Sequence, residues 1–195
     1  MMLALGLAAA LLPVTAMAQA PDQAAAMVKN TADRLIDIVN GPGSVDDKRP
    51  KMREVIEGAV DVDGVGRFAL GRYARQATAE QQKEYAALFH DVLLNNITAR
   101  MGEYRGVSYS LGEAQQRDDG VHVLTVVVRP NNPPANVAWV VANIAGKPKI
   151  IDLIAEGTSM RLTQRSDYSS YLSRHNNEVQ ALIAAMRQQT AHMRP

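Results

Sequence analysis

The sequence predicts an α+β domain: an antiparallel, four-stranded meander sheet packed against a long helix, with further helices before and after it. Three observations carry this prediction. Apolar residues recur at helical spacing near both ends of the chain. One long stripe of the same period starts at Thr78. Between Val107 and Ala155, four β-rich runs are separated by short turn signals.

The first twenty residues, MMLALGLAAALLPVTAMAQA, carry no charge. The apolar run Leu3 to Leu12 is short for a bilayer span. Pro13 breaks it, and Ala16-Met17-Ala18 gives the small-residue pattern of a signal-peptidase site. Residues 1–18 therefore read as an export signal, and 21–190 as one domain. From Asp22 to Val39, Met27, Thr31, Leu35 and Ile38 mark one helical face, closed by Gly41-Pro42-Gly43-Ser44. Lys51 to Val60 repeats the pattern with Met52, Val55, Ile56 and Ala59. Asp61-Val62-Asp63-Gly64 interrupts it, and Val65, Phe68, Ala69 and Tyr73 begin a short third helix.

Thr78-Ala79-Glu80-Gln81 is a capping box, with hydroxyl and amide side chains satisfying free backbone N–H groups. Behind it Tyr85, Leu88, Phe89, Val92, Leu93, Ile97, Met101 and Tyr104 trace one stripe. Such a helix, run to Arg105, is roughly 40 Å long and needs an equally long cover. The strands that follow, Val107–Leu111, Val121–Arg129, Asn136–Ala145 and Lys149–Ala155, are expected to supply it. Their connections at Asp118-Asp119-Gly120, Asn131-Asn132-Pro133-Pro134 and Gly146-Lys147-Pro148 are short, which favours a meander. In the second strand Val121, Val123 and Val127 share one face, and Leu124, Val126 and Val128 the other. Both faces are dry, or one lines something apolar. Tyr168, Tyr171 and Leu172, then Val179, Leu182, Ile183 and Met186 after Asn176-Asn177, give two closing helical pieces.

The chain carries 21 basic and 20 acidic side chains, so it lacks the basic surplus that nucleic acid demands. Apolar residues make up 47%, which excludes disorder. There is no cysteine, and so no disulfide, thiolate metal site or lipid-modified cysteine anchor. His90, His122, His175 and His192 lack metal-ligand spacing, so neither metal nor cofactor is expected. Asp61-Val62-Asp63-Gly64 fails as a calcium loop, because Val65, Gly66 and Arg67 follow where oxygen ligands are needed. Glu156-Gly157-Thr158-Ser159-Met160 lacks the second glycine of a nucleophile elbow.

Taken in order, Arg67-Phe68-Ala69-Leu70-Gly71-Arg72-Tyr73, Thr78-Ala79-Glu80-Gln81-Gln82, Tyr104-Arg105-Gly106-Val107, Ile151 to Met160 and Gln164-Arg165-Ser166-Asp167-Tyr168 resemble the MlaC, or toluene-tolerance, family of periplasmic lipid-binding proteins. The resemblance runs from about Arg53 to Arg187. Met160-x-Leu162-Thr163-Gln164-Arg165-Ser166 and Asn176-Asn177-x-Val179 are similar to its hopanoid-associated branch, HpnM. It departs from the family pattern at Lys149-Ile150, where an aromatic pair is usual, and at Thr158, where Val or Ile is common. The resemblance implies a monomeric, non-enzymatic periplasmic carrier with phospholipid or hopanoid in an apolar cavity. The family also implies two partners, an inner-membrane lipid transport complex and an outer-membrane donor or acceptor complex, where the hopanoid branch implies a large inner-membrane transporter instead.

The expected lining takes Phe68, Tyr73, Phe89, Leu93, Ile97 and Met101 from the helices. From the sheet it takes Val126, Val128, Trp139, Val141, Ile151 and Leu153, with Met160 and Tyr168 closing the end. Arg165 is a candidate partner for an anionic head group, with a structural ion pair as its other role. Two other classes stay open at this point. An enzyme on a cone-shaped α+β scaffold needs carboxylates or histidines converging in a cavity. A protein-binding adaptor needs an exposed apolar patch.

Overall fold

The computed structural model describes residues 16–192. The export signal expected over residues 1–18 lies outside the described residues, apart from its last three. Among the described residues are six α-helices and an antiparallel sheet: α1 (Ala16–Asn40), α2 (Val45–Ala59), α3 (Val62–Leu70), α4 (Ala79–Ala99), α5 (Met160–Arg174) and α6 (Val179–His192). The strands are β1 (Ser108–Arg117), β2 (Gly120–Val128), β3 (Ala135–Ile144), β4 (Lys147–Ala155) and a two-residue β5 (Thr158–Ser159), in the order β1-β2-β3-β4-β5. The meander is as expected, with a fifth strand added where the chain turns back into α5.

Local chemistry sets the helix ends. At α4, Thr78 Oγ1 accepts from the Gln81 amide at 3.2 Å while Gln81 Oε1 accepts from the Thr78 amide at 3.0 Å. Ser44 and Asp47 form the same reciprocal box at α2, so that helix starts six residues before the apolar spacing announces it. Asp61 caps α3 by accepting from the Gly64 amide. The long stripe ends earlier than expected: α4 stops at Ala99 and Met101–Tyr104 is a 3-10 turn.

The pairing of helix and sheet differs from expectation. The stripe of α4 is covered chiefly by α6, α2 and α3, and it is α1 that lies along the sheet. Two separate apolar clusters result. One is built from helices, 3-10 turns and Ala77 before α4, around Met52, Leu70, Phe89, Leu172, Ile183 and Met186. The other joins Ala24, Val28 and Ala59 to Val121, Val123, Val141 and Ile150. Helix α1 serves both, with its first half on the sheet and Leu35, Ile38 and Val39 against the helices. Tyr109 on β1 holds it in place, donating to Asp33 at 2.7 Å, and Asn40 bonds to Gly106 and Val107. Burial and the Asp33 bond push the Tyr109 phenol up to about 12.

Two bulges set the sheet's parity. Leu111 faces Thr125 and Ala114 faces Val123, so β1 carries one extra residue around Gly112-Glu113. Ile151 is the extra residue of β4, between Asp152 opposite Val140 and Ile150 opposite Val141.

Candidate functional site

Side chains alternate along a strand, and cross-strand partners share a face. The registers therefore sort the sheet into two surfaces. Tyr109, Ala114, Val121, Val123, Thr125, Val141, Trp139, Ile150 and Leu153 face α1. Here Val123 has no exposed surface, and the Trp139 indole N–H donates to Thr125 Oγ1 at 3.0 Å. The opposite face carries His122, Leu124, Val126 and Val128 on β2, Ala138 and Val140 on β3, and Asp152 and Ile154 on β4.

That second face is covered at one end only. At that end the row of His122, Val140 and Asp152 is buried, and helix α5 packs on β4. Asp152 accepts from the Arg161 amide at 3.0 Å and from the Ser159 hydroxyl at 2.5 Å. The Arg161 guanidinium lies 3.5 Å from both Asp152 and Asp119. His122 meets Asp119 at 2.7 Å. Burial pushes the Asp119 carboxyl up, but the His122 hydrogen bond and charge outweigh it, so its pKa lies below the usual range. Beyond this row the face is bare: Leu124 and Val126 are each 37% exposed and Val128 41%. Ala138 and Ile154 continue the Leu124 row across β3 and β4. Leu162, 56% exposed on the first turn of α5, adds apolar surface at the margin. Together these side chains form an open apolar shelf.

The expected lining residues are divided by this geometry. Val126 and Val128 lie on the shelf, and Met160 is exposed beside it at the start of α5. Trp139, Val141 and Leu153 lie on the opposite face, against α1, so the expected sheet set mixes two surfaces. Ile151 sits on the β4 bulge, half-buried. Tyr73, Phe89, Met101 and Tyr168 are buried in the helical cluster, and Leu93 packs against it. Phe89, Tyr85 and Tyr168 form an aromatic triplet with centroids 5.9 to 6.4 Å apart. Burial pushes the Tyr85 and Tyr168 phenols up in pKa. Tyr73 donates to Asn177 at 2.9 Å. Ile97 is exposed on α4. Phe68 is half-buried between two cations, with the guanidinium carbons of Arg161 and Arg165 at 4.8 and 5.0 Å from its ring centroid.

Leu124, Ile154, Leu162 and Arg161, outside the expected lining, join the surface that Val126 and Val128 define. The alternation of β2 already put Leu124 beside Val126 and Val128. The others need the register. The glycine-flanked Ser159 is the N-cap of α5, accepting from the Leu162 amide and donating to Asp152. Two hollows among the described residues lie elsewhere. One is an open dish of about 370 Å³ on α2, ringed by Arg49, Arg53, Glu54 and Glu57. The other, lined in part by Arg53 and His90, holds about 10 Å³. Neither has the apolar lining and the volume that a hydrocarbon chain needs.

The family model described as MlaC protein matches residues 29–188. The chain belongs to the MlaC family. Among solved structures, this chain is similar to a phospholipid-binding protein from Ralstonia solanacearum in complex with a phospholipid. The two are 20% identical, and the match covers 88% of this chain and 98% of the other at a TM-score of 0.76. That likeness establishes a shared fold.

Proposed function

We propose that the protein is a non-catalytic lipid carrier of the periplasm, moving phospholipid or hopanoid between the inner and outer membranes. Its partners are an inner-membrane lipid transport complex and an outer-membrane donor or acceptor complex. The observation that carries this reading is the shelf: a mid-sheet row of Leu and Val side chains left in contact with water, on a member of the MlaC family. The phospholipid held by the Ralstonia protein of the same fold supports it.

Moving a chain into water costs about 0.8 kcal/mol per methylene, or on the order of 12 kcal/mol for sixteen carbons. An apolar surface that covers even half of the chain removes much of that barrier. Because the shelf is open on one side, the uncovered half of the chain stays available to an acceptor. Partial burial therefore gives holding and release together. Neither step requires a bond to be broken, and Asp119, Asp152, Ser159 and Arg161 at the end of the shelf are engaged in capping and ion pairs.

Native mass spectrometry of the protein purified from its own host tests the proposal. A bound lipid is expected, and Val126→Asp is expected to abolish it. Recovery of lipid-free protein that also takes nothing from phospholipid vesicles would end the carrier reading.

A further inference from the structure

The shelf ends at a pair of arginines that are not equivalent. Arg161 and Arg165 both stack on Phe68, bringing two positive charges to one ring. Arg161 is compensated by Asp119 and Asp152, and is tied into the sheet by them. Arg165 is exposed and, among the described residues, has no carboxylate within ion-pair distance. What positions it is shape. It lies over the Phe68 ring and close to Gly71, where an added Cβ would lie 3.1 Å from the Arg165 Nε. Gly71 has φ +57°, so the backbone conformation there also favours glycine. The guanidinium is thus held against a ring while its fork of N–H donors remains unspent.

The surroundings strengthen the field. Arg67 and Arg75, on α3 and the 3-10 turn behind it, are exposed and make no ion pair among the described residues, and Arg72 donates only to the Tyr73 hydroxyl. The location matters as much as the charge. Asp152, which Arg161 grips, is two residues from Ile154 on the same face of β4, about 7 Å along the strand. Leu162 lies one helical turn before Arg165, so apolar and cationic surface adjoin.

We propose that Arg165, backed by Phe68 and Arg161, is a phosphate-binding subsite for the head of an amphiphile whose chain lies on the shelf. The proposal rests on the carrier reading above. A forked guanidinium matches two oxygens of a phosphate ester, and a neutral head with the same chains gains nothing from it.

The test offers delipidated full-length protein to vesicles holding equal amounts of phosphatidylglycerol and a diacylglycerol with identical chains. Native mass spectrometry then reads the ratio of the two bound species. Wild type is expected to favour the phospholipid. Arg165→Gln is expected to lower that ratio about tenfold. Arg165→Lys, which keeps the charge but not the fork, should fall between them, and Phe68→Leu should lower the ratio without changing the charge. Equal melting temperatures for wild type and Arg165→Gln confirm that the fold is not the cause. An unchanged ratio in Arg165→Gln overturns the subsite while leaving the carrier reading intact. If wild type takes up neither lipid, both readings fall. If inorganic phosphate alone binds at Arg165, by chemical-shift titration, while the lipid ratio ignores the substitution, the site belongs to the free anion and the lipid-head assignment is overturned.

Discussion

Val123 and Val126 are chemically identical and three positions apart on one strand, yet Val123 has no exposed surface and Val126 keeps 37% of its own. Alternation puts them on opposite faces, and what lies over each face decides the rest. Against Val123 stand Ala24 and Val28 of α1, small side chains that let the helix approach closely. Among the described residues no helix stands over Val126, and α5 is held one end further along by Asp152 and Asp119. A strand with two apolar faces is ordinary where both are covered. Here α1 buries the middle of one face, and the same stretch of the other stays open. The lesson is that an apolar residue on a strand indicates stability or binding only once its face has been assigned.

The largest effect should come from Val123→Asp. An unpaired charge in that dry layer is expected to cost more than about 4 kcal/mol, enough to unfold the protein in urea titrations. Val126→Asp should leave stability within about 1 kcal/mol, while lipid capture from vesicles falls tenfold or more. If the two aspartates proved equally destabilising, the shelf would be core and the comparison would collapse.

Trp139→Phe, on the α1 side, removes the donor to Thr125 and should cost about 1 kcal/mol. Lipid capture should be unaffected; a marked loss would move the binding surface to the α1 face. Thr78→Ala removes the α4 cap, remote from both faces, for about 1 kcal/mol or less, again with capture unchanged. The smallest effect concerns pH. The lowered pKa of Asp119 means that its contribution is full above about pH 4 and drains as pH falls through its folded value. Asp119→Asn should make the acid limb of the stability curve shallower. An identical acid limb would show that His122 and Arg161 draw nothing from this carboxylate.

Much of the fold was legible because it is local. The Thr78 capping box, the three turn signals and the alternation of β2 all hold within a few residues. What covers what was not legible. Helices α1 and α4 both carry apolar stripes, and a stripe demands a cover without naming it. The choice is made by contacts such as Tyr109 with Asp33 and Asn40 with Gly106, more than sixty residues apart in sequence. The faces of the sheet were half legible for a related reason. Val126, Val128 and Met160 lie on or beside the shelf, but Trp139, Val141 and Leu153 could be assigned a face only from the register. A one-residue slip exchanges the faces. The bulge at Gly112-Glu113 also hid the second half of β1, because it breaks the alternation after Leu111.

The same bulge has a consequence for how copies of the molecule behave together. Strand β1 is the free edge of the sheet, beside a surface of bare Leu and Val, and a straight edge there would invite one copy to zip onto the next. At Gly112 the backbone dips toward Leu124, with room for no side chain without crowding it, and Glu113 brings a charge to the margin. A strand arriving from another copy would lose its hydrogen-bond partners halfway along. The interruption works against fibre growth by a protein that carries an exposed apolar face.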